Sequence, residues 1–325
     1  MKGAHRIIVE TKKIKYDFTV KRNITILTGN SGSGKTVLID LIRDYRRYGS
    51  DSGVLVSCDC ECKILDNEDW ERQLQESSGS IIFIDEGNRF IPSKRFAELI
   101  KGSDNYFVLA TREKLPMLPY SVNEIYGFRE SGKFHHTKQK YNEIYHLYGE
   151  ISENDLVKPD IVITEDSNSG YEFFSAVSEQ KGIPCISANG KSNVINCLMK
   201  NEQIKGKCLI IADGAAFGSE MKDISEYMKA SGDTVLYAPE SFEWLLLSAN
   251  VIPEVNVKEI LEKPQDHIEC REYISWERFF TGLLIQKTEN NPLWRYSKKK
   301  LPEIYLSPKV FAAMKKFMKL IIWDK

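Results

Sequence analysis

The stretch Ile24-Thr25-Ile26-Leu27-Thr28-Gly29-Asn30-Ser31-Gly32-Ser33-Gly34-Lys35-Thr36 decides the fold of the first half of the chain. A mostly apolar run leads into a loop of glycine and serine, and a second apolar run starts at Val37. Glycines let the backbone turn so that successive N–H groups point inward, and the N-terminus of a following helix adds partial positive charge. The stretch therefore predicts a strand, an anion-binding loop and a helix, in that order.

The loop also carries a specific pattern, G-x-x-x-x-G-K-[ST], which is that of nucleotide-binding P-loops. The residues predicted to bind the nucleotide are Gly29, Asn30, Ser31, Gly32, Ser33, Gly34, Lys35 and Thr36. In this interpretation the Lys35 ammonium contacts the β- and γ-phosphates of ATP, and the Thr36 hydroxyl is a ligand of Mg²⁺. The predicted cofactors are therefore ATP and Mg²⁺.

A second apolar strand, residues 81–84, ends in the two acidic residues Asp85 and Glu86. The 49 residues between Lys35 and Asp85 leave room for one further strand and helix. In this interpretation, which is that of a Walker B strand, Asp85 holds the Mg²⁺ through water. Glu86 polarises the attacking water, either as a general base or by orienting it.

The next predicted strand, residues 106–110, ends at Thr111 and Arg112. In P-loop ATPases the strand after the Walker B strand often ends in a polar residue that senses the γ-phosphate, and Thr111 occupies that position. Arg112 serves the same site or that of a neighbouring copy, and a solvated strand end is its other interpretation. The predicted catalytic residues are Lys35, Asp85, Glu86, Thr111 and Arg112.

The second half of the chain starts a new alternation of strands and helices, and several strands end in acidic residues. Residues 160–164 lead to Glu165, and residues 208–212 lead to Asp213. Because open α/β sheets place their sites at the carboxyl ends of parallel strands, we expect both side chains at one edge of a small sheet.

This pattern resembles the Toprim domain of topoisomerases, bacterial primases and OLD-family nucleases over about residues 159–245. The resemblance implies that Glu165 is the first acid of a metal site and that Asp213-Gly214 begins its second motif. Ala215 stands where the family has a second aspartate, so the predicted metal site needs a replacement acid. The candidates for that replacement are Glu220, Asp223, Glu240 and Glu243. The predicted metal ligands of the chain are Thr36, Asp85, Glu165, Asp213 and Glu220.

The order of an ATPase followed by a Toprim-like domain resembles that of OLD-family proteins. Those ATPases are of ABC type, with an insert and a Ser-Gly-Gly signature between the Walker motifs. Residues 37–80 contain no such signature and leave no room for the insert. The first half therefore looks more like a compact P-loop ATPase of the AAA-like or Zot-like sort.

The predicted fold class is α/β, with a P-loop NTPase sheet, a small parallel Toprim-like domain and a C-terminal helical cap. We expect a P-loop ATPase domain with a C-terminal hairpin at residues 1–150 and a linker at 151–158. The Toprim-like domain is predicted at 159–250, and a helical, basic region at 251–325. In that last region, lysines and arginines alternate with aromatic residues such as Tyr296 and Tyr305, which is typical of nucleic-acid contacts. A solvated helix face is the other interpretation.

Composition limits the location and the partners. The 325 residues carry a net charge of −1, contain no apolar run long enough for a membrane span, and begin without a signal-peptide core. Seven cysteines then predict free thiols in a cytoplasmic protein without membrane contact. Cys58, Cys60 and Cys62 lie on one face of a predicted strand, as at the start of a zinc site. No fourth ligand lies near them in sequence, which favours buried thiols instead.

These observations lead to two functional expectations. The first is a protein that binds and hydrolyses ATP and thereby regulates a Toprim-like, metal-dependent nuclease domain acting on DNA or RNA. By analogy with OLD-family systems, its setting is defence against phage or mobile DNA. The alternative is an ATP-dependent sensor or scaffold whose Toprim-like domain has lost its chemistry and binds a partner protein or nucleic acid. A homo-oligomer is expected in both cases, since P-loop enzymes often complete their site with a neighbour's residue.

Overall fold

The computed structural model of this protein describes residues 1–30, 34–66, 69–131, 140–148, 156–200, 204 and 206–323. The chain has a mixed α/β fold that divides into two units. The first comprises Met1–Gly149 with Lys263–Ser275, and the second comprises Glu150–Glu262 with Trp276–Lys325. The first division lies at the predicted boundary near residue 150. The stretch 251–325, predicted as one helical, basic region, is divided between both units.

The first unit is built on one sheet that contains nine strands in its described residues. They are β1 (His5–Glu10), β2 (Ile14–Val20), β3 (Ile24–Leu27), β4 (Leu55–Ser57), β5 (Glu61–Ile64), β6 (Ser80–Ile84), β7 (Tyr106–Ala110), β8 (Ile125–Ser131) and β9 (Lys140–His146). Their spatial order is β4-β1-β2-β9-β8-β3-β7-β6-β5. The five strands from β8 to β5 run parallel, as expected for a P-loop sheet, whereas β1 pairs antiparallel with β2 and β4.

The two edge strands of this sheet, β4 and β5, are consecutive in the chain. Only residues 58–60, here called the β4–β5 link, lie between them. In a flat sheet of this order, eight strand spacings would separate the edges by about 38 Å. The link with its flanking residues spans at most about 14 Å. The sheet therefore curls until its two edges approach each other at the link.

The helices follow the predicted pattern in both units. In chain order they are α1 (Lys35–Tyr48), α2 (Trp70–Gln75), α3 (Lys94–Ile100), α4 (Ser169–Gln180), α5 (Val194–Lys200), α6 (Met221–Ser231), α7 (Phe242–Ser248), α8 (Lys258–Glu262), α9 (Pro264–His267), α10 (Trp276–Thr288) and α11 (Pro308–Met314). In the first unit α1 buries Leu38, Ile39 and Ile42 in a core that also holds apolar side chains of β1, β2, β6 and β7. This packing fixes the helix directly after the glycine-rich loop.

The second unit contains a parallel sheet, as predicted. Its strands are β10 (Ile161–Thr164), β11 (Cys185–Ser187), β12 (Cys208–Ile211) and β13 (Thr234–Tyr237), in the order β11-β10-β12-β13. The central strands β10 and β12 are fully buried, which explains why they are continuous apolar runs in the sequence. Glu165 and Asp213 follow these two neighbours, so the fold brings the two predicted acids to the same sheet edge.

Within the described ranges, no helix combines the length and the apolar character that a membrane-spanning segment requires.

Candidate functional sites

The predicted catalytic residues of the first unit follow three adjacent strands. In the sheet β7 lies between β3 and β6, with Leu27 opposite Ala110 and Ile84 opposite Leu109. The glycine-rich loop follows β3, Thr111 and Arg112 follow β7, and Asp85 and Glu86 follow β6. Parallel strands end at a common edge, so the fold gathers these predicted site residues from three separate parts of the sequence.

Gly34 ends the loop and stands directly before α1. Its φ of 105° is favourable only for glycine, and its carbonyl accepts a hydrogen bond of 2.9 Å from the Tyr16 hydroxyl. A Cβ at Gly34 would lie 3.0 Å from both that hydroxyl and Asn142 Nδ2. Tyr16 and Asn142 are thus supports of the loop that the sequence pattern did not identify. The predicted nucleotide ligands Ser31, Gly32 and Ser33 lie outside the described residues.

Lys35 is a buried cation at the sheet edge where β3, β7 and β6 end. It is 4% exposed, and its Nζ donates to the carbonyl oxygens of Gly29 at 2.8 Å and Asn30 at 3.3 Å. Burial lowers the pKa of Lys35, while the nearby carboxylates of Glu86 and Asp85 act in the opposite direction. The ammonium therefore faces both the loop and the acids that follow β6. The neighbouring Thr36 is exposed at the start of α1.

Glu86 and Arg112 form an ion pair across the ends of β6 and β7. Arg112 Nη2 lies 2.9 Å from Glu86 Oε1, and both side chains remain partly exposed. Thr111 is buried, and its hydroxyl oxygen accepts a hydrogen bond from the Glu113 N–H at 3.0 Å. Asp85 Oδ1 accepts from the Glu86 N–H at 2.9 Å. The charged groups at this edge are thus held in place by short local contacts.

These residues fit ATP with Mg²⁺. The N-cap residue Gly34 has no side chain to cap the first turn of α1, and uncapped N–H groups at a helix N-terminus are typical anion ligands. The buried Lys35 ammonium contacts the carbonyl oxygens of Gly29 and Asn30, and a neutral carbonyl is a weaker partner for an ammonium than a phosphate is. Thr36 and Asp85 supply the hydroxyl and carboxylate oxygens that Mg²⁺ prefers.

The second unit contains a small cavity at the edge where β10 and β12 end. Its volume is about 20 Å³, and its lining includes Glu165, Asp166 and Asp213 beside Phe174 and Phe242. A cavity of this size holds about one water molecule or one ion. Two of the predicted metal ligands, Glu165 and Asp213, therefore line the same cavity.

Backbone hydrogen bonds fix the two predicted acids. The Asp213 N–H donates to Glu165 Oε2 at 3.0 Å, and the Phe242 N–H donates to Asp213 Oδ1 at 3.0 Å. Burial raises the pKa of Glu165 to about 7 and raises the pKa of Asp213 well above its usual range. Burial also raises the pKa of Asp166. Such shifts indicate desolvated carboxylates that a proton or a cation would stabilise.

A lysine from the end of the chain supplies positive charge to this cluster. Lys298 Nζ lies 2.7 Å from Glu277 Oε1 and 3.9 Å from Glu243 Oε1. Burial lowers the pKa of Lys298, but the carboxylates of Glu243, Glu277 and Asp213 outweigh this effect and raise it. Glu277 and Lys298 lie more than 25 residues beyond the predicted Toprim-like domain. No local pattern in the sequence indicated that they join its acids.

Tyr296 also belongs to this cluster. It is 4% exposed, and its hydroxyl donates to Glu243 Oε1 at 2.7 Å and contacts Ser169 Oγ at 2.7 Å. Tyr305 is fully buried as well. These two aromatic residues of the basic C-terminal segment are core residues and are not available to stack on bases.

The predicted replacement ligand Glu220 lies elsewhere. It is 2% exposed and accepts a hydrogen bond of 3.0 Å from the Ser219 hydroxyl, and it does not line the cavity. Among the described residues, no three of the acidic groups around Glu165 and Asp213 bring their oxygens within 4.8 Å of one another. The fold thus brings together Glu165 and Asp213 but not Glu220, and the cavity lacks a three-carboxylate cluster in its present geometry.

No protein-family model matches the chain, and no curated protein sequence matches it.

Proposed function

We propose that this protein binds and hydrolyses ATP at the edge formed by β3, β7 and β6, and that this reaction controls the second unit. The observation that carries the proposal is the position of Lys35. Its buried ammonium lies on the loop carbonyls and within electrostatic reach of Asp85 and Glu86. The spacing of the sequence motifs predicted that Lys35 would lie near Asp85 and Glu86, which supports the proposal.

Each residue at this edge has a distinct role in the proposal. Lys35 and the N–H groups at the start of α1 bind the phosphates, and Thr36 and Asp85 hold the metal. Bound MgATP supplies the electrophilic γ-phosphorus and neutralises charge on the phosphate oxygens. Glu86 orients the attacking water, and its ion pair with Arg112 fixes its carboxylate. Thr111 lies between the loop and the acids, where it senses the γ-phosphate.

Two substitutions test the ATPase. We expect Lys35→Ala to abolish ATP binding measured by calorimetry, since it removes the only predicted lysine contact to the phosphates. Glu86→Gln should retain binding and lower ATP turnover at least about 100-fold, because the amide cannot act as a base. Lys101→Ala and Glu113→Gln are matched controls, since both side chains are exposed. Normal turnover in Glu86→Gln would remove this residue from the catalytic role.

For the second unit, a metal-dependent nuclease acting on DNA or RNA is the first candidate. The shared cavity of Glu165, Asp166 and Asp213 supports it, because it has space for one ion among carboxylates. By analogy with OLD-family systems, the setting of this nuclease would be defence against phage or mobile DNA. The protein would act as a homo-oligomer in the cytoplasm.

The alternative, a sensor or scaffold that binds nucleic acid or a partner protein without cutting, is favoured by Lys298. A tethered ammonium among Glu243, Glu277 and Asp213 supplies charge that a catalytic metal would otherwise provide. Ala215 also favours the sensor or scaffold, since its side chain is buried and has no atom that could bind a metal.

A nuclease assay separates the two candidates. The first predicts nicking of DNA or RNA with Mg²⁺ or Mn²⁺ and ATP that is lost in Glu165→Gln and Asp213→Asn. The alternative predicts intact substrates and a mobility shift in a binding assay. Gain of cleavage in Ala215→Asp would show that the native unit does not cut because it has no carboxylate at position 215.

A further inference from the structure

The β4–β5 link brings a histidine from the start of the chain to the cysteines near residue 60. β1 pairs antiparallel with β4, and Ile8 stands opposite Ser57. Continuing this register places His5 beside residues 59–60. The sequence alone showed cysteines without a further ligand, because the histidine is more than 50 residues away along the chain.

The side chains of His5, Asp59 and Cys60 meet through their potential ligand atoms. His5 Nδ1 lies 2.9 Å and 3.0 Å from the two carboxylate oxygens of Asp59, and 3.2 Å from Cys60 Sγ. Ligand atoms of all three residues lie within 4.8 Å of one another. Ligands of a tetrahedral zinc ion, with bonds near 2.0–2.3 Å, are separated by about 3.3–3.7 Å. A few tenths of an ångström of opening would therefore admit the ion.

The other ring nitrogen of His5 is already engaged. Nε2 lies 3.2 Å from the Lys2 carbonyl oxygen, which can only accept, so Nε2 carries the proton of the neutral ring. The Asp59 carboxylate can only accept, so without a metal Nδ1 donates to it, and a zinc ion would have to take the place of that proton. A hydrogen bond from the second nitrogen to a backbone carbonyl is the usual way in which a metal-binding histidine is oriented.

Packing holds the imidazole in this orientation. His5 is 8% exposed and makes an edge contact with the Tyr106 ring at a centroid distance of 5.6 Å. Asp59 remains exposed, and Cys60 is half-buried, so an ion in solvent can reach the three residues without unfolding. The site is thus rigid on one side and accessible on the other.

We propose that His5, Asp59 and Cys60 bind one Zn²⁺ ion at the β4–β5 link, through Nδ1, a carboxylate oxygen and the thiolate. Imidazole, thiolate and carboxylate together suit zinc better than Mg²⁺ or Ca²⁺, which prefer oxygen ligands. Cys58, whose Sγ lies 3.5 Å from Asp59 Oδ1, is the candidate for a fourth ligand. This site is separate from the ATP site and does not depend on it.

A second cluster in the described residues, Asp104, Glu269 and Cys270, has similar ligand types. There the Met1 ammonium contacts both carboxylates and supplies the positive charge itself. At the proposed zinc site the described ion pair joins His5 and Asp59 themselves, so zinc would compete there with a proton and not with a fixed ammonium.

The role of the ion would be to join parts of the curled sheet. The link connects the two edge strands, and His5 begins β1, the neighbour of β4. A metal bound to the histidine and the link would fasten the start of β1 to the point where the edges approach. Since such a site does not exist in the unfolded chain, zinc binding adds to the stability of the folded state.

Metal titration of the full chain, with any affinity tag removed and thiols reduced, tests the proposal. We expect one Co²⁺ ion per chain, with thiolate-to-cobalt charge-transfer absorption that Zn²⁺ abolishes by displacement. Cys60→Ser and Asp59→Asn should each lower the affinity at least about 100-fold. Cys185→Ser, which alters another free cysteine in the second unit, is the matched control and should bind as the native chain does.

Some variants could be less stable than the native chain, so the change in Tm caused by Zn²⁺ is measured within each variant. Zn²⁺ should raise the Tm of the native chain and of Cys185→Ser, and leave the Tm of Cys60→Ser unchanged. Alkylation followed by peptide mapping should show Zn²⁺ protecting Cys60 in the native chain. Equal affinity in Cys60→Ser, or cobalt binding without charge-transfer absorption, would overturn the proposal and leave a simple His5–Asp59 ion pair.

Discussion

The position of Glu165 could be predicted from the sequence, but the burial of its carboxyl group could not. Its place after a buried strand, and its proximity to Asp213, were predictable because parallel strands end at a common edge. The strength of its desolvation was not predictable. The cavity beside Glu165 is lined by Phe174 and by Phe242, which is distant in sequence, and the charge of Glu277 adds to the rise of the Glu165 pKa.

This desolvation predicts a pH-dependent stability. The pKa of Glu165 is about 7 in the folded chain against 4.5 ordinarily, so the folded state holds a proton that the unfolded chain loses between these values. The stability contribution of Glu165 therefore falls as pH rises from about 4.5 to 7. Glu165→Gln should gain relative to the native chain over this window, by up to about 3 kcal/mol above pH 7.

Denaturant unfolding at several pH values, in buffer with a chelator, measures this difference. Glu259→Gln replaces an exposed glutamate of α8 and should track the native chain throughout. A difference between Glu165→Gln and the native chain that stays constant with pH would contradict the burial of this carboxylate.

For single helices and strands, the sequence patterns predicted the elements well but not the elements they contact. The strand–loop–helix around Gly34 and Lys35 agrees with prediction, since glycine spacing and apolar runs determine it locally. The partners of this element were not predictable. Tyr16 of β2 contacts the loop although β8 and β9 lie between β2 and β3 in the sheet, a long-range arrangement that no local pattern encodes.

Tyr16 on β2 tests this long-range support. Its hydroxyl donates to the Gly34 carbonyl, and its ring is fully buried. Tyr16→Phe should destabilise the protein by about 0.5–1.5 kcal/mol and weaken ATP binding, because the end of the loop loses its anchor.

The matched control is Tyr237→Phe on β13, which removes a hydroxyl that donates to the Phe317 carbonyl at 3.2 Å. We expect a comparable or smaller loss of stability and unchanged ATP binding, measured by denaturant unfolding and calorimetry. If both variants bind ATP as the native chain does, β2 has no part in positioning the loop.

At the scale of the whole molecule, a division of the chain near residue 150 was predictable from the sequence. The return of Lys263–Ser275 to the first unit was not. This segment carries no strand pattern and is held by single contacts such as Asn23 Nδ2 to the Cys270 carbonyl at 2.9 Å and Gly3 N–H to the Gln265 carbonyl at 2.7 Å. Contacts of this kind leave no periodicity in a sequence.

Asn23 therefore reports on the attachment of the returning segment. Asn23→Ala should destabilise the protein by about 1–3 kcal/mol, because it leaves a buried carbonyl without its donor. It should also increase hydrogen exchange of amides in residues 263–275. Asn193→Ala, at an exposed position with a local contact only, should change neither quantity. Unchanged exchange in Asn23→Ala would mean that the segment is held by other contacts.

The path of the chain between its two units limits how this protein can be divided or inherited. The backbone passes from one unit to the other three times, near residues 149, 262 and 275. A protease that cuts near residue 149 leaves residues 263–275, which belong to the first unit, on the fragment that carries the second unit. A recombination event that transfers only the N-terminal half of the gene delivers the nine-stranded sheet without residues 263–275 of the same unit. The complete first unit can therefore be inherited only together with residues 150–262, which interrupt it.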